Sequence, residues 1–266
     1  MDALLKRAKH LRYIFLLLAM LIALSGCAHK PNCADNPELC TKVLFIGNSY
    51  TYVNDLPTVF TNLAESGGHP VSTGMLAQGG WTLAQHVNDS NTQTELAAKQ
   101  WDYVVLQEQS EIPSVEQSRI WYMYPAARTL VKMIRDNGEE PMFFMTWGHQ
   151  YGDVNFSYYD YESMQKQLTT GYLTIADELG VAVAPVGSAW EQVRQQAPAI
   201  DLWQADGSHP TENGTYLAAC VFYAAIFNES PQGLSYTAQI PSDTAKALQS
   251  IAASVVLNDS AKWNLK

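Results

Sequence analysis

Positive charge is scarce in this chain. Of 266 residues, 16 are Lys or Arg and 26 are Asp or Glu, giving a formal net charge of −10. Beyond the N-terminal stretch, no cluster of basic residues offsets that excess. A surface this acidic repels phosphate backbones, so nucleic acid is not an expected partner. No Gly-rich phosphate loop and no HExxH helix occur, which removes the usual signals for nucleotide and zinc-hydrolase chemistry. The chain has 4 cysteines, with no CxxC among them and no nearby His pair to complete a zinc site. No metal and no cofactor are therefore expected. Internal repeats and low-complexity blocks are also missing. So is any apolar run of the ~20 residues that a permanent membrane helix needs. What remains is an ordinary globular balance, 47% hydrophobic and 16% charged. That is enough to build a core without disulfides or metal.

The N-terminus reads as an address. Lys6, Arg7, Lys9 and Arg12 precede an uninterrupted apolar run over residues 13–24. A basic flank and a short apolar run make a secretory signal peptide. Leu24-Ser25-Gly26-Cys27 resembles a bacterial lipobox. That resemblance implies lipidation of Cys27, which becomes the mature N-terminus and anchors the protein to a membrane. The competing reading is an ordinary signal peptide with a Cys after its cleavage site. Ala28, rather than Asp, follows Cys27, which under proteobacterial-type sorting implies the outer membrane of the cell envelope. The expected organisation is a signal peptide over 1–26, a lipidated Cys and tether over 27–40, and one domain over 41–266. Export permits disulfides. Cys33 and Cys40 flank a short Pro- and Asn-containing stretch that suits a small loop disulfide, and their spacing alone leaves the pairing open. Cys220 falls in an apolar helical pattern, as a buried free thiol would.

From Lys42 the chain alternates between two periodicities. Val43-Leu44-Phe45-Ile46, Tyr103-Val104-Val105-Leu106, Met142-Phe143-Phe144-Met145 and Val181-Ala182-Val183-Ala184 are continuous apolar runs, the pattern of strands buried on both faces. Residues 69–75 form a weaker strand. Helical patterns fall between them. One starts at Asp55-Leu56-Pro57, with Asp as cap and Pro in the first turn, and stops near Gly67-Gly68. Others cover about 115–137, 158–179, 188–196, 212–227 and 243–256. Buried strands alternating with helices predict an α/β fold: three layers, α/β/α, around a mostly parallel five-stranded sheet of flavodoxin-like type. In such sheets, ligands sit beyond the carboxyl ends of the strands.

Two segments fall there. Gly47-Asn48-Ser49-Tyr50-Thr51 follows the first strand, so Ser49 is either a nucleophile or a turn residue. Asp206-Gly207-Ser208-His209-Pro210-Thr211 precedes a late helix. A carboxylate three residues before a histidine, across a Gly turn, can fold back onto Nδ1–H and leave Nε2 as a base. The bland alternative is a surface turn with a solvated His. The local G-x-S-x-T is not the G-x-S-x-G elbow of α/β-hydrolases.

Together the segments resemble the SGNH (GDSL-type) hydrolases. Phe45-Ile46-Gly47-Asn48-Ser49-Tyr50 is similar to that family's first block, with Asn48 where Asp is usual, and Asp206-Gly207-Ser208-His209-Pro210 to its last. The resemblance spans roughly residues 43–227 and implies an ester hydrolase with Ser49 as nucleophile, His209 as base and Asp206 as its orienting acid. It also implies oxyanion donors: the Ser49 N–H, a glycine of Gln78-Gly79-Gly80-Trp81-Thr82 and a third-block side chain. Gly80 is favoured over Gly79. The usual third block is replaced by Leu106-Gln107-Glu108-Gln109-Ser110, so Gln109 takes the donor place by position and Gln107 is the alternative. Asn48, Trp147 and Tyr151 are candidate substrate-lining residues, the aromatics by stacking on a sugar ring. His149 receives no catalytic duty. Glu108, Asp153 and residues 158–160 read as solvated loop. The resemblance implies a small-molecule or saccharide ester as substrate. Two rivals stand beside esterase activity: an acyltransferase using the same acyl-enzyme, and a non-catalytic envelope binding protein on the same scaffold.

Overall fold

Alternating side chains along the strands feed two separate apolar layers. A computed structural model describes residues 33–34, 37–98 and 100–265. Its strands are β1 (Thr41–Gly47), β2 (Val71–Ala77), β3 (Tyr103–Leu106), β4 (Glu140–Phe144) and β5 (Ala182–Ala184). Val43, Phe45, Val105, Met142, Phe144 and Ala184 enter one core cluster. Leu44, Ile46, Val104, Leu106, Phe143 and Val183 enter the other. This is the period of two that a pleated strand imposes. Both faces are therefore covered, which explains why these strands read as unbroken apolar runs.

The helices are α1 (Ser49–Tyr52), α2 (Leu56–Ser66), α3 (Leu83–Asn88), α4 (Ser90–Ala97), α5 (Tyr124–Asp136), α6 (Tyr161–Leu179), α7 (Val186–Gln196), α8 (Glu212–Phe227) and α9 (Ser242–Leu257). A turn at Glu116–Ser118 and a π-turn at Arg119–Met123 lead into α5. On one face, α2, α7, α8 and α9 contribute Phe60, Trp190, Phe222 and Leu248. On the other, α3 to α6 contribute Leu83, Leu96, Leu130 and Ile175. Phe45 is fully buried and meets Phe60 and Phe222 edge-on at 6.0 and 5.2 Å. Burying such a ring contributes about 3 kcal/mol.

Every strand pairing is parallel, and the order is β2-β1-β3-β4-β5. The chain turns from one side of β1 to the other after β2, so the switch point lies between the carboxyl ends of β1 and β3. That is where such sheets bind ligands. Gly47 ends one strand there, and Leu106 ends the other.

Some local features depart from the sequence reading. The second strand begins at Val71 rather than 69, because Pro70 has no N–H to give and offers only its carbonyl, to the Thr41 N–H at 2.9 Å. Helices α3 and α4 had no counterpart in the apolar pattern. Their signals are caps: Thr82 and Gln85 form a capping box, and Asp89 accepts from the Thr92 N–H. Cys33 and Cys40 are disulfide-bonded. Cys220 is a free, buried thiol. The leader, Cys27 and residues 28–32 lie outside the described residues. Among the described residues, no helix is long and apolar enough to cross a membrane.

Candidate active site

The Ser49 segment is built from buried hydrogen bonds. Ser49 begins α1, so its N–H has no intrahelical acceptor, and it has no other partner among the described residues. Asn48 behind it is 2% exposed. Its N–H donates to Gln107 Oε1 at 2.9 Å, and its Oδ1 accepts from the Tyr50 N–H and from Gln107 Nε2. Its Nδ2 donates to the Trp81 carbonyl at 2.9 Å. A carboxylate has no proton for that last bond, which accounts for Asn at this position. Asn48 therefore does not line a cleft; it joins the Ser49 turn to the Gly79-Gly80 turn.

Gln107 is equally committed. Its Oε1 also accepts from Thr51 Oγ1 at 2.9 Å, and its Nε2 also donates to the Glu108 carbonyl. It is fully buried. No N–H is left for an oxyanion, so the Gln107 alternative is overturned. Gln109 is different. Its Oε1 accepts the Glu111 and Ile112 N–H groups at 2.9 and 3.2 Å, which turns Nε2 the other way. Nε2 donates once, to Ser110 Oγ at 3.2 Å, leaving one N–H free among the described residues. Gly79 and Gly80 lie in an exposed turn closed by the Trp81 N–H on the Gln78 carbonyl, and neither N–H is hydrogen-bonded among the described residues. Gly80 has φ +71°, a conformation that favours glycine.

The second segment folds onto the first from 160 residues away. Asp206 Oδ1 accepts the Ser208 and His209 N–H groups at 2.9 and 3.0 Å, a turn made possible by Gly207 at φ +69°. Oδ2 meets His209 Nδ1 at 2.6 Å, and His209 Nε2 meets Ser49 Oγ at 2.9 Å. A carboxylate can only accept, so Nδ1 carries the proton and Nε2 accepts from the serine. Desolvation would raise the Asp206 carboxyl, but the Ser208 N–H, the His209 ring and the His209 N–H outweigh it and hold it at about 2. It is therefore ionised throughout the neutral range. The loop is braced by the Gln204 N–H on the His209 carbonyl (2.8 Å) and by Asn54 Nδ2 on the Pro210 carbonyl (2.9 Å).

A serine, a histidine and an aspartate in one hydrogen-bonded run at the switch point of a 2-1-3-4-5 sheet can be compared with solved structures. A DUF4886 family protein from Bacteroides uniformis superposes with a TM-score of 0.70 at 21% identity, over 83% of this chain and 96% of that one. A protein of Slackia heliotrinireducens, described as a candidate SGNH hydrolase, gives 0.60 at 27% identity, over 70% and 99%. An acetylxylan esterase from Geobacillus stearothermophilus gives 0.52 at 17%, over 73% and 94%. This chain has the SGNH-hydrolase fold. No protein-family model matches it, and no curated protein does.

Within this SGNH fold, the aromatic residues near the site divide. Trp147 is 1% exposed, stacked between Tyr50 (4.5 Å) and Trp190 (4.0 Å), with its indole N–H on the Ser208 carbonyl. It is a floor beneath the Asp206-to-His209 loop, and no sugar can stack on it. Tyr151 is 74% exposed beside Gly207 and remains free for a ligand. Sequence reasoning missed Tyr50 and Ser208. Tyr50 Oη and Ser208 Oγ are 2.6 Å apart, and the Tyr50 ring meets the His209 ring edge-on at 5.7 Å. The available signal was an aromatic directly after the serine.

Two residues read as solvated loop are buried: Asp153, and Glu108 completely. Among the described residues, Glu111, His149 and Asp153 are the group that could hold a metal ion, with one ligand atom each within 4.8 Å of the others. His149 Nδ1 lies 3.6 Å from Asp153 Oδ2, while Asp153 Oδ1 accepts the Asn155 N–H and so shapes the 154–156 turn. Burial pushes the His149 pKa below its ordinary value, against the pull of Asp153 and Asp206.

Proposed function

We propose that the chain is a serine esterase that removes short acyl groups, acetyl foremost, from hydroxyls of carbohydrates, and that it works in the cell envelope, tethered through a lipid on Cys27. What supports this reading is the hydrogen-bonded run from Ser49 Oγ through His209 to an ionised Asp206. In the reaction, His209 Nε2 takes the Ser49 proton as Oγ attacks the ester carbonyl, and Asp206 stabilises the resulting imidazolium. The Ser49 N–H, the Gly80 N–H and the free N–H of Gln109 meet the oxyanion. His209 then protonates the departing alcohol. Water, deprotonated by the same ring, attacks the acyl-enzyme and releases the acid.

The acetyl and carbohydrate assignments follow the acetylxylan esterase likeness and the exposed Tyr151, with its ring open to a pyranose face. Hydrolysis is favoured over acyl transfer because Asp206 and the neighbouring Tyr151 lie open to solvent, so water reaches the acyl-enzyme. Envelope location and the anchor rest on the Leu24-Ser25-Gly26-Cys27 motif.

The test is turnover of p-nitrophenyl acetate, butyrate and octanoate by the detergent-solubilised full chain, beside Ser49→Ala, with and without added sugar acceptors. Acetate preference that vanishes in the variant is the expected result. Product found mainly on the acceptor sugar would make the protein a transferase. A folded wild type that neither turns over nor takes a serine-directed phosphonate would make it a binding scaffold.

A further inference from the structure

Glu108 is a buried carboxyl that the ester mechanism does not use. It follows Gln107 at the end of β3 and is fully buried. No basic side chain pairs with it among the described residues. Its Oε1 accepts two backbone N–H groups, Leu83 at 3.1 Å and Gln109 at 2.7 Å. Its Oε2 is buried with no partner. An uncompensated buried carboxyl costs stability, so a chain that keeps one for structure alone has poorer options than an apolar residue.

The two N–H groups belong to the two loops that matter. Leu83 opens α3, three residues after Gly80. Gln109 is the third-block donor. One oxygen atom thus fixes the distance between the candidate oxyanion donors. Helix α3 is fastened a second time, by His86 Nε2 on the carbonyl of Gly47, the last residue before the nucleophile turn, at 2.8 Å. The capping box of α3 uses the Gln85 and Thr82 N–H groups and leaves the Leu83 N–H to Glu108, so this end of the helix is held from the third block.

We propose that Glu108 is a positioning residue for the oxyanion hole, holding the Gly80 turn and Gln109 at the spacing that the tetrahedral intermediate requires. This rests on the esterase reading above. Glu108 touches no substrate. It acts through the backbone of the residues that do. Substrate binding does not need that spacing, whereas the transition state does, so the effect falls on kcat.

The experiment compares full-length wild type, E108A, E108Q and S49A for kcat and KM on p-nitrophenyl acetate. It adds the affinity of each for a trifluoromethyl ketone, which forms a tetrahedral oxyanion on the serine, and a thermal melt. E108A is expected to lose about 10²-fold in kcat, the loss typical of one oxyanion donor. Its KM should stay within about threefold, and its affinity for the ketone should fall in parallel. E108Q keeps the accepting oxygen and is expected to recover kcat to within about tenfold, as neutral acceptors are weaker than charged ones. If E108A does not fold, E108D carries the test, since it withdraws the oxygen by one methylene and should show the same split. Folded E108A with unchanged kcat, equal losses in E108A and E108Q, or a loss confined to KM would each overturn the inference while leaving the esterase reading intact. A wild type without turnover, or turnover that survives in S49A, would overturn both.

Discussion

Replacing Asp206 by Asn tests the relay at its least exchangeable atom. The new carboxamide can be oriented two ways. Its oxygen can keep the Ser208 and His209 N–H groups at 2.9 and 3.0 Å, which turns its NH2 toward His209 Nδ1. Alternatively it can face Nδ1, which sets an NH2 against two backbone N–H groups. The first arrangement satisfies two donors rather than one and prevails. The imidazole then answers by moving its proton to Nε2, so that a donor rather than an acceptor faces Ser49 Oγ at 2.9 Å. The base is lost while the geometry stays. A wrong tautomer of this kind costs about 10⁴-fold in kcat, which is ~5.5 kcal/mol of barrier, with KM little changed. Initial rates on p-nitrophenyl acetate from pH 5 to 9 measure it. In the wild type Asp206, held at about 2, is ionised throughout that range. The sign for stability follows the same value. A carboxyl depressed in the folded state stabilises above its unfolded value near 4 and loses that contribution as pH falls through about 2. The melting difference between wild type and Asp206→Asn should therefore shrink in acid. A variant that keeps more than a tenth of wild-type kcat would refute the tautomer argument.

Other residues give sharper structural contrasts. Burial raises the Glu108 carboxyl from 4.5 to about 7, so the unfolded chain holds fewer protons than the fold between those values, and stability falls as pH rises through that window. Glu108→Gln should flatten that slope, measured as urea unfolding between pH 5 and 8. Gly80→Ala meets open space but demands an alanine at φ +71°, so it should cost about 1 kcal/mol and lower kcat. Gly79→Ala instead sets a Cβ 3.2 Å from the Tyr52 hydroxyl; if Gly80 is the donor, its kcat loss should be the smaller of the two in the same assay. Trp147→Ala should cost about 4 kcal/mol by calorimetry, as expected for a buried ring in a stack. Tyr151→Ala should leave melting within about 0.5 kcal/mol while raising KM on acetylated saccharides and not on p-nitrophenyl acetate.

The layers and the sheet were legible because the strands are buried on both faces, and an unbroken apolar run such as Val43-Leu44-Phe45-Ile46 has few other readings. Helix α8 was legible over its whole length, 212–227, because its apolar stretch is long and unbroken. Helices α3 and α4 were not. They bury little beyond Leu83, His86, Thr92 and Leu96, so their evidence is the caps and not the period. The Asp206-to-His209 turn was legible because three residues and a glycine determine it locally.

Exposure was the quantity that sequence did not carry at the site. Trp147, Asn48 and Gln107 all sit at strand ends, where function concentrates, yet each is turned inward. Type gave no warning, since an aromatic and two amides serve equally well as ligand contacts or as internal bracing. What separates the two uses is the count of bonds each group already makes. Asn48 spends its backbone N–H, its Oδ1 and one Nδ2–H on neighbours, and Gln107 spends both ends of its amide. Gln109, one residue from the equally buried Glu108, keeps an N–H in reserve. A third block that departs from the usual one is therefore compatible with an oxyanion hole, provided that Asn48, Gln107 and Glu108 hold the loops and leave Gln109 to donate. In the proposed oxyanion hole, the departure from the family pattern moves the burden of positioning from the donor to the residues behind it.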